Sequence, residues 1–425
     1  MATNLYICYF GVQEPLVQTQ VLPYLREIQK DGIEVSLLTF EPARKVGKAV
    51  NRKERKRELE AIRQELAAEG ISWDWLTYHK RLSVLATAYD ILCGSVFVWN
   101  RLRKKHIDVL HGRVHIPVLM AAIARKCSRQ KPKLLFDIRG FFPEEYTDAG
   151  RWAENGLIFR SAKRVEKWLL RVSDGFVVLT EKAREILFPE SLEGGWEAQG
   201  RPVEVIPCCV DIDRIGSADE GRRTEMRERL GIGDRRVIAY VGSFGGWYMT
   251  DEMLEFFQAA HKADPTVFAM ILTQREPEKI AENLKKRGFA DDDLIVASVA
   301  PGEIAGYLAA ADLAISFIKA CYSKQSSSPT KIAEYLAAGL PIISNGGVGD
   351  LDELITGERV GTILNGFSEA DYLDAVAQID ALMLDSGLAA HCKSVARKRF
   401  DLASVAGERY RRVYRRLLGV ENARK

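Results

Sequence analysis

The chain of 425 residues has no apolar run approaching the ~18 residues of a membrane span. Its opening, Met1 to Phe10, carries no basic flank ahead of the apolar stretch. It reads as a first strand, not a signal segment. Cysteine is sparse and odd in number: seven, with no CxxC pair and no histidine near the adjacent Cys208 and Cys209. That argues against a disulfide framework and a thiolate metal site, and points to reduced thiols in a cytoplasmic protein. GxxxxGK[ST], GxSxG and HExxH are all missing, which disfavours P-loop hydrolysis, a nucleophile elbow and a zinc protease. Neither charge dominates, with 61 basic against 58 acidic side chains. No aromatic platform interleaves with the basic residues, so nucleic acid is not an expected partner.

What is present is an alternation. Apolar residues at 47% and charged residues at 28% suit a globular protein, and the length suits two domains. The opening reads as strand 4–10, helix Val17 to Gln29 and strand Glu34 to Phe40, a βαβ unit that implies a parallel sheet. Gly11 lies beyond the first strand, where such sheets bind ligands, and would let a phosphate approach the backbone. A basic run follows: Arg44, Lys45, Lys48, Arg52, Lys53, Arg55, Lys56 and Arg57. It reads as a solvated insertion, or as a weak contact (residues 44–57) with the anionic inner face of a membrane.

Strands are then predicted at Trp73 to Tyr78, Ile107 to Leu110, Leu134 to Phe136, Gly175 to Leu179 and Val203 to Ile206. Helices are predicted at 84–104 and 151–172, and Thr180 caps a further short one. Two polar clusters sit at the ends of neighbouring strands: His111, Arg113 and His115, and Asp137, Arg139 and Gly140. Such clusters should converge on one cleft. Residues 208–235 read as a linker, and Asp211-Ile212-Asp213 within it reads as structural. A second alternating unit begins at strand Val237 to Val241, with Ser243 and Gly245-Gly246 beyond it. Strands Val267 to Leu272, Leu294 to Val296 and Leu313 to Phe317 follow, separated by helices from about Asp251, at 276–287 and at 302–310. Two doubly wound units of similar size imply a cleft between them.

The chain is organised around residues 326–350, SSSPTKIAEYLAAGLPIISNGGVGD. Ser328 suits an N-cap, Pro329 the first helical position, and Gly339 the C-terminal close. Lys331 is the odd feature, because a cation in the first turn opposes the helix dipole unless an anion binds there. Free amides with Ser326, Ser327, Ser328, Thr330 and Lys331 make a phosphate cradle. Glu334 lies one turn on, placed to accept hydrogen bonds from ribose hydroxyls. The alternative is a solvated helix start with Lys331 and Glu334 as a surface pair.

This stretch resembles the donor-site motif of retaining glycosyltransferases of the GT-B fold, family 4. GVQEPLVQTQVLPYLREIQKDGIEVSLLTF, VIPCCVDIDRI, VIAYVGSFGGWY and ADLAISFIKACYSKQ resemble further parts of that family. The resemblance implies two Rossmann-like domains, 1–207 on the acceptor side and 208–401 on the donor side, facing each other across a cleft. A terminal helix from about 402 would pack back on the first. It also implies a nucleotide-diphosphate sugar as donor, UDP- or GDP-linked, with no metal or other cofactor. The acceptor would be a saccharide, lipid or small molecule. Glu334 would bind the ribose, Gly11 and the serines the diphosphate, and the loop Ser298 to Ala300 the base.

This chain departs from the family at Ser326, where an acid is usual, at Ser243, where a base is usual, and at Arg139, in place of a histidine. Arginine cannot act as a base, but could bind phosphate or steady an oxyanion alongside Lys331. His111, Arg113 and Asp137 are expected on the acceptor side. An epimerase on the same architecture, drawing on His111, His115 and Asp137, and a non-catalytic nucleotide-sugar binder are the other readings.

Overall fold

A computed structural model describes residues 1–42, 52–79, 84–193, 197–216 and 220–420. Two compact units divide the chain: Met1–Ile206 with the segment from Ala406, and Pro207–Val405. The part of the basic run before Arg52 falls outside the described residues.

The first unit holds strands β1 (Thr3–Ile7), β2 (Glu34–Pro42), β3 (Ile71–Tyr78), β4 (Val109–Arg113), β5 (Lys133–Asp137), β6 (Gly175–Val178), β7 (Glu197–Ala198) and β8 (Arg201–Val205). Their order is β3-β2-β1-β4-β5-β6-β8-β7. All pairings are parallel except that of the two-residue β7 with β8. The second unit holds β9 (Arg236–Val241), β10 (Val267–Leu272), β11 (Leu294–Ala297), β12 (Leu313–Ser316), β13 (Ile342–Asn345) and β14 (Gly361–Leu364), all parallel, in the order β11-β10-β9-β12-β13-β14. The near-continuous apolar runs account for this: strands covered by helices on both faces need no alternation, and all six residues of β10 are buried. In both sheets the order reverses beside the first strand, which places a ligand crevice at the carboxyl ends near β1/β4 and β9/β12.

Several local expectations change. The strand predicted over 4–10 ends at Ile7, and the first helix opens with a π-turn, Val17–Val21, before Leu22–Gln29. Residues 151–156 precede the helix predicted over 151–172, which spans Leu157–Val172. The linker expected at 208–235 contains the helices Ile212–Gly216 and Glu220–Arg229. The second is nearly all polar, so it shows no apolar stripe in the sequence. No helix among the described residues is long and apolar enough to cross a membrane.

Candidate functional site

In the second unit the central helix runs Thr330–Ala337, and its N-cap is Pro329, not Ser328. The Ser328 hydroxyl oxygen instead accepts the Cys208 amide at 3.0 Å, fixing the chain as it enters the unit. Proline at the cap removes a side-chain cap from the first-turn amides, of which Ile332 donates to the Pro329 carbonyl at 3.1 Å. Lys331 points back across the sheet to the end of β9. Its Nζ lies 4.2 Å from the Tyr240 ring centroid and 4.3 Å from that of Tyr248. The residue is 6% exposed, and Nζ has no hydrogen-bond partner. A surface pair with Glu334 is thereby excluded for Lys331.

Burial pulls the Lys331 ammonium down to about 7, opposed by the charge of Glu334. Burial also pushes the half-buried Glu334 carboxyl up to about 7, against Arg214 and Lys331. Two aromatic faces supply part of what water would have given the ammonium. A full partner for the cation is missing, and a bound anion would fill that role.

The end of β9 is shaped for this approach. Gly242 has φ +148°, and a Cβ there would sit 2.7 Å from Lys331 Nζ. The Tyr335 hydroxyl accepts the Val241 amide at 2.8 Å, so two residues of one helix reach the same strand end. Tyr240 donates to the Ser243 carbonyl at 2.6 Å, setting the loop that carries Ser243. Lys324, buried nearby, lies 4.0 Å over the Trp247 ring. Ser327 and Thr330 stay half-buried at the helix start, whereas Ser326 is enclosed and donates to the Ser323 carbonyl at 2.7 Å. Ser326 was expected to face the donor; a 3-10 turn, Tyr322–Ser326, folds its hydroxyl inward instead. Ser298 is exposed at the end of β11 and donates to Gln274 at 2.7 Å.

In the first unit, His111, Arg113 and Asp137 do come together, but as a closed network. Arg139 Nε sits 2.8 Å from Asp137 Oδ1, and His111 Nε2 3.5 Å from Oδ2. The helix Glu408–Leu418 completes it: Tyr410 donates to Asp137 at 3.0 Å, Tyr414 meets His111 Nδ1 at 2.9 Å, and Arg139 Nη2 bonds the Tyr410 hydroxyl. Burial opposes the Asp137 charge, yet Arg139, His111 and Arg113 hold its carboxyl well below the usual range. Expected as acceptor contacts, His111, Arg113 and Asp137 are enclosed. Arg139, expected as an oxyanion or phosphate ligand, has a side chain only 6% exposed and is committed to Asp137 and Tyr410.

His115, also expected at this cleft, bonds Glu166 at 3.0 Å and stacks on Phe142. Gly11, expected to let a phosphate approach, lies beside a carboxylate. Its turn amides are engaged by carboxylates: Val12 donates to Glu41 at 2.7 Å, and a Cβ at Gly11 would lie 3.0 Å from Glu41. A side chain there would crowd Glu41, and an anion would meet that carboxylate. Tyr410, Tyr414 and Tyr248 were missed, since nothing in their local sequence marks them. Among the described residues no cluster of three His, Cys, Asp or Glu could hold a metal.

Comparison with known proteins agrees with this architecture. The model of the family described as Glycosyltransferase Family 4 matches residues 17–214, and that of Glycosyl transferases group 1 matches residues 222–399. The chain therefore belongs to the family 4, group 1 glycosyltransferases of GT-B fold. Solved structures share the fold at low identity. HepE of Anabaena, in complex with UDP, has a TM-score of 0.66 at 14% identity, covering 97% of this chain and 100% of that one. Sucrose-phosphate synthase of Thermosynechococcus elongatus has 0.69 at 14%, covering 99% and 100%. WaaG, a glycosyltransferase involved in lipopolysaccharide biosynthesis, has 0.61 at 15%, covering 95% and 98%. No curated protein sequence matches the chain.

Proposed function

We propose that the protein is a retaining, metal-independent glycosyltransferase that takes its sugar from a UDP- or GDP-sugar and passes it to an acceptor hydroxyl. One observation carries this: a buried, unpartnered lysine ammonium at the N-terminus of Thr330–Ala337. A diphosphate supplies the missing partner, because helix amides and a desolvated cation both favour negative charge. Structural neighbours crystallised with UDP and UDP-glucose support the same donor class.

In the reading, Glu334 accepts the ribose hydroxyls, and Lys331 with the first-turn amides stabilises the leaving diphosphate. The glycosidic C–O bond to the β-phosphate breaks as the acceptor oxygen attacks the same face. The β-phosphate oxygen takes the acceptor proton, so no side-chain base is required. An epimerase would draw its acid and base from His111, His115 and Asp137, all of which are enclosed, so transfer is the better reading. Free cysteines in both units suit a reducing, cytoplasmic setting.

Titration calorimetry with UDP and GDP, with and without chelator, tests the donor site. Binding of one nucleotide that survives chelation, with a raised melting temperature, is expected. Failure of both to bind and to protect would rule the site out. Incubation with donor in deuterated water checks the chemistry: solvent deuterium appearing in the sugar would favour epimerisation instead.

A further inference from the structure

Asp90, on the helix Val84–Lys104, is completely buried. It accepts the Tyr9 hydroxyl at 2.6 Å, the His79 amide at 3.2 Å, and meets His79 Nδ1 at 2.6 Å. Tyr9 lies two residues past β1 and His79 directly follows β3, so the triad stands at the carboxyl ends of the first sheet, the side on which such sheets bind ligands. With Nδ1–H donated to the buried carboxylate, an uncharged imidazole presents Nε2 as an acceptor. The His79 side chain is 46% exposed, and Nε2 has no partner among the described residues.

One aromatic ring lies against it, and a second pair lies on the Tyr9 side of Asp90. Tyr89, itself half exposed, stands edge-on to His79 with centroids 5.1 Å apart, and Tyr9 packs edge-on to Tyr78 at 5.0 Å. Burial, then the charges of Tyr146 and Asp90, push the Tyr78 phenol up. Tyr146 in turn stacks on Trp152 at 4.4 Å.

We propose that His79, oriented by Asp90, is the recognition point for a hydroxyl of a saccharide acceptor, with Tyr89 and Tyr78 against the apolar face of the sugar ring. An imidazole acceptor nitrogen selects a hydrogen-bond donor, which a hydroxyl supplies and an ionised phosphate or carboxylate does not. A fixed polar group beside aromatic faces suits a ring with one CH face and a hydroxyl edge. A latch that merely ties β3 to the helix would need only the Nδ1 contact. Asp90 is a positioning residue in this assignment, since it acts through His79. The saccharide is either free or lipid-carried, because Leu85, Tyr89, Leu92 and Val96 continue as one exposed face of the helix, with Leu85 80% exposed. This proposal rests on the glycosyltransferase reading given above.

The test uses the full chain saturated with UDP, and titrates methyl and hexyl glycosides of glucose, galactose, mannose and N-acetylglucosamine by saturation-transfer NMR and calorimetry. At least one glycoside should bind, with its Kd raised tenfold or more in His79→Ala and largely recovered in His79→Gln, whose amide reaches the Nε2 position. Asp90→Asn should move the imidazole proton to Nε2 in nitrogen-15 spectra and weaken the same glycoside. Equal affinity for methyl and hexyl forms supports a free saccharide. Tighter hexyl binding, lost in Leu85→Ser, supports a lipid-carried one. The assignment is overturned if no glycoside binds while UDP does, or if His79→Ala binds the glycoside as the wild type does. Loss of UDP binding by the wild type would strike the donor reading separately. UDP affinity and melting temperature report whether each variant is folded, and Asp90→Asn carries the test should His79→Ala fail to fold.

Discussion

At the residue scale the protein keeps a group that its own stability disfavours. Lys331 is enclosed without a hydrogen-bond partner, and a desolvated ammonium is costly even between two aromatic rings. Replacing it by methionine should raise the stability of the ligand-free protein by about 1–3 kcal/mol, the scale of an unsatisfied buried polar group. The same change should weaken UDP binding by roughly 1.5–3 kcal/mol, the worth of a charge-assisted contact. Denaturant melts and calorimetry on one variant check both; a loss of stability with unchanged UDP affinity would remove Lys331 from the site.

The pH dependence has a definite sign. The folded pKa of Lys331, about 7, lies below its unfolded value, so the unfolded chain holds the extra proton between the two. Stability from this group therefore rises with pH above about 7, while UDP affinity falls as the ammonium is lost. Glu334 is raised to about 7, so its contribution to stability is lost as pH rises through that value. Comparing wild type with Lys331→Met across pH 6 to 9 isolates the lysine: the gap in UDP affinity should narrow as pH rises.

At the element scale two helices differ in how they announce themselves. Thr330–Ala337 is visible in the sequence as a proline start, a short apolar stripe and a glycine close. Its lysine stood out because a cation opposes the dipole. What lay hidden was the side chain's destination, since Tyr240 and Tyr248 lie some 80 to 90 positions earlier. The strands were legible for a related reason: buried parallel strands are short apolar runs, such as Val267–Leu272. The cluster of His111, Arg113, Asp137 and Arg139 was legible as a convergence but not as a closed one. Its lid, Tyr410 and Tyr414, arrives from about 270 and 300 residues away.

Tyr410→Phe should cost about 1–3 kcal/mol, because the buried Asp137 and Arg139 both lose a partner. UDP affinity should not change. Gly242→Ala should do the reverse, weakening UDP more than folding, since its Cβ would displace Lys331 from the end of β9.

At the scale of the whole molecule the chain leaves its first unit at Pro207 and re-enters it at Ala406. The returning helix, Glu408–Leu418, pairs Arg412 with the buried Glu204 at 2.6 Å and Arg411 with Glu27 at 3.0 Å. Calorimetry should resolve two transitions, only one of which UDP raises, by about 2.7 kcal/mol at a hundredfold excess over Kd. Ending the chain after Val405 should lower the other transition and leave the UDP-sensitive one in place. A single transition shifted as a whole in both proteins would show that the units do not unfold independently.

The re-entry also bears on synthesis. A ribosome delivers residues 1–206 long before the segment from Ala406 that closes their polar core. At roughly 5–20 residues per second, the intervening unit imposes a wait on the order of 10–40 s. During that interval Asp137, His111 and Glu204 lack the partners that neutralise or cover them in the finished fold. The second unit meets no such delay, because its own residues, Pro207–Val405, suffice to complete it. Nascent chains should thus complete the second unit first, and the N-terminal half, though made earliest, should be the last to become resistant to protease.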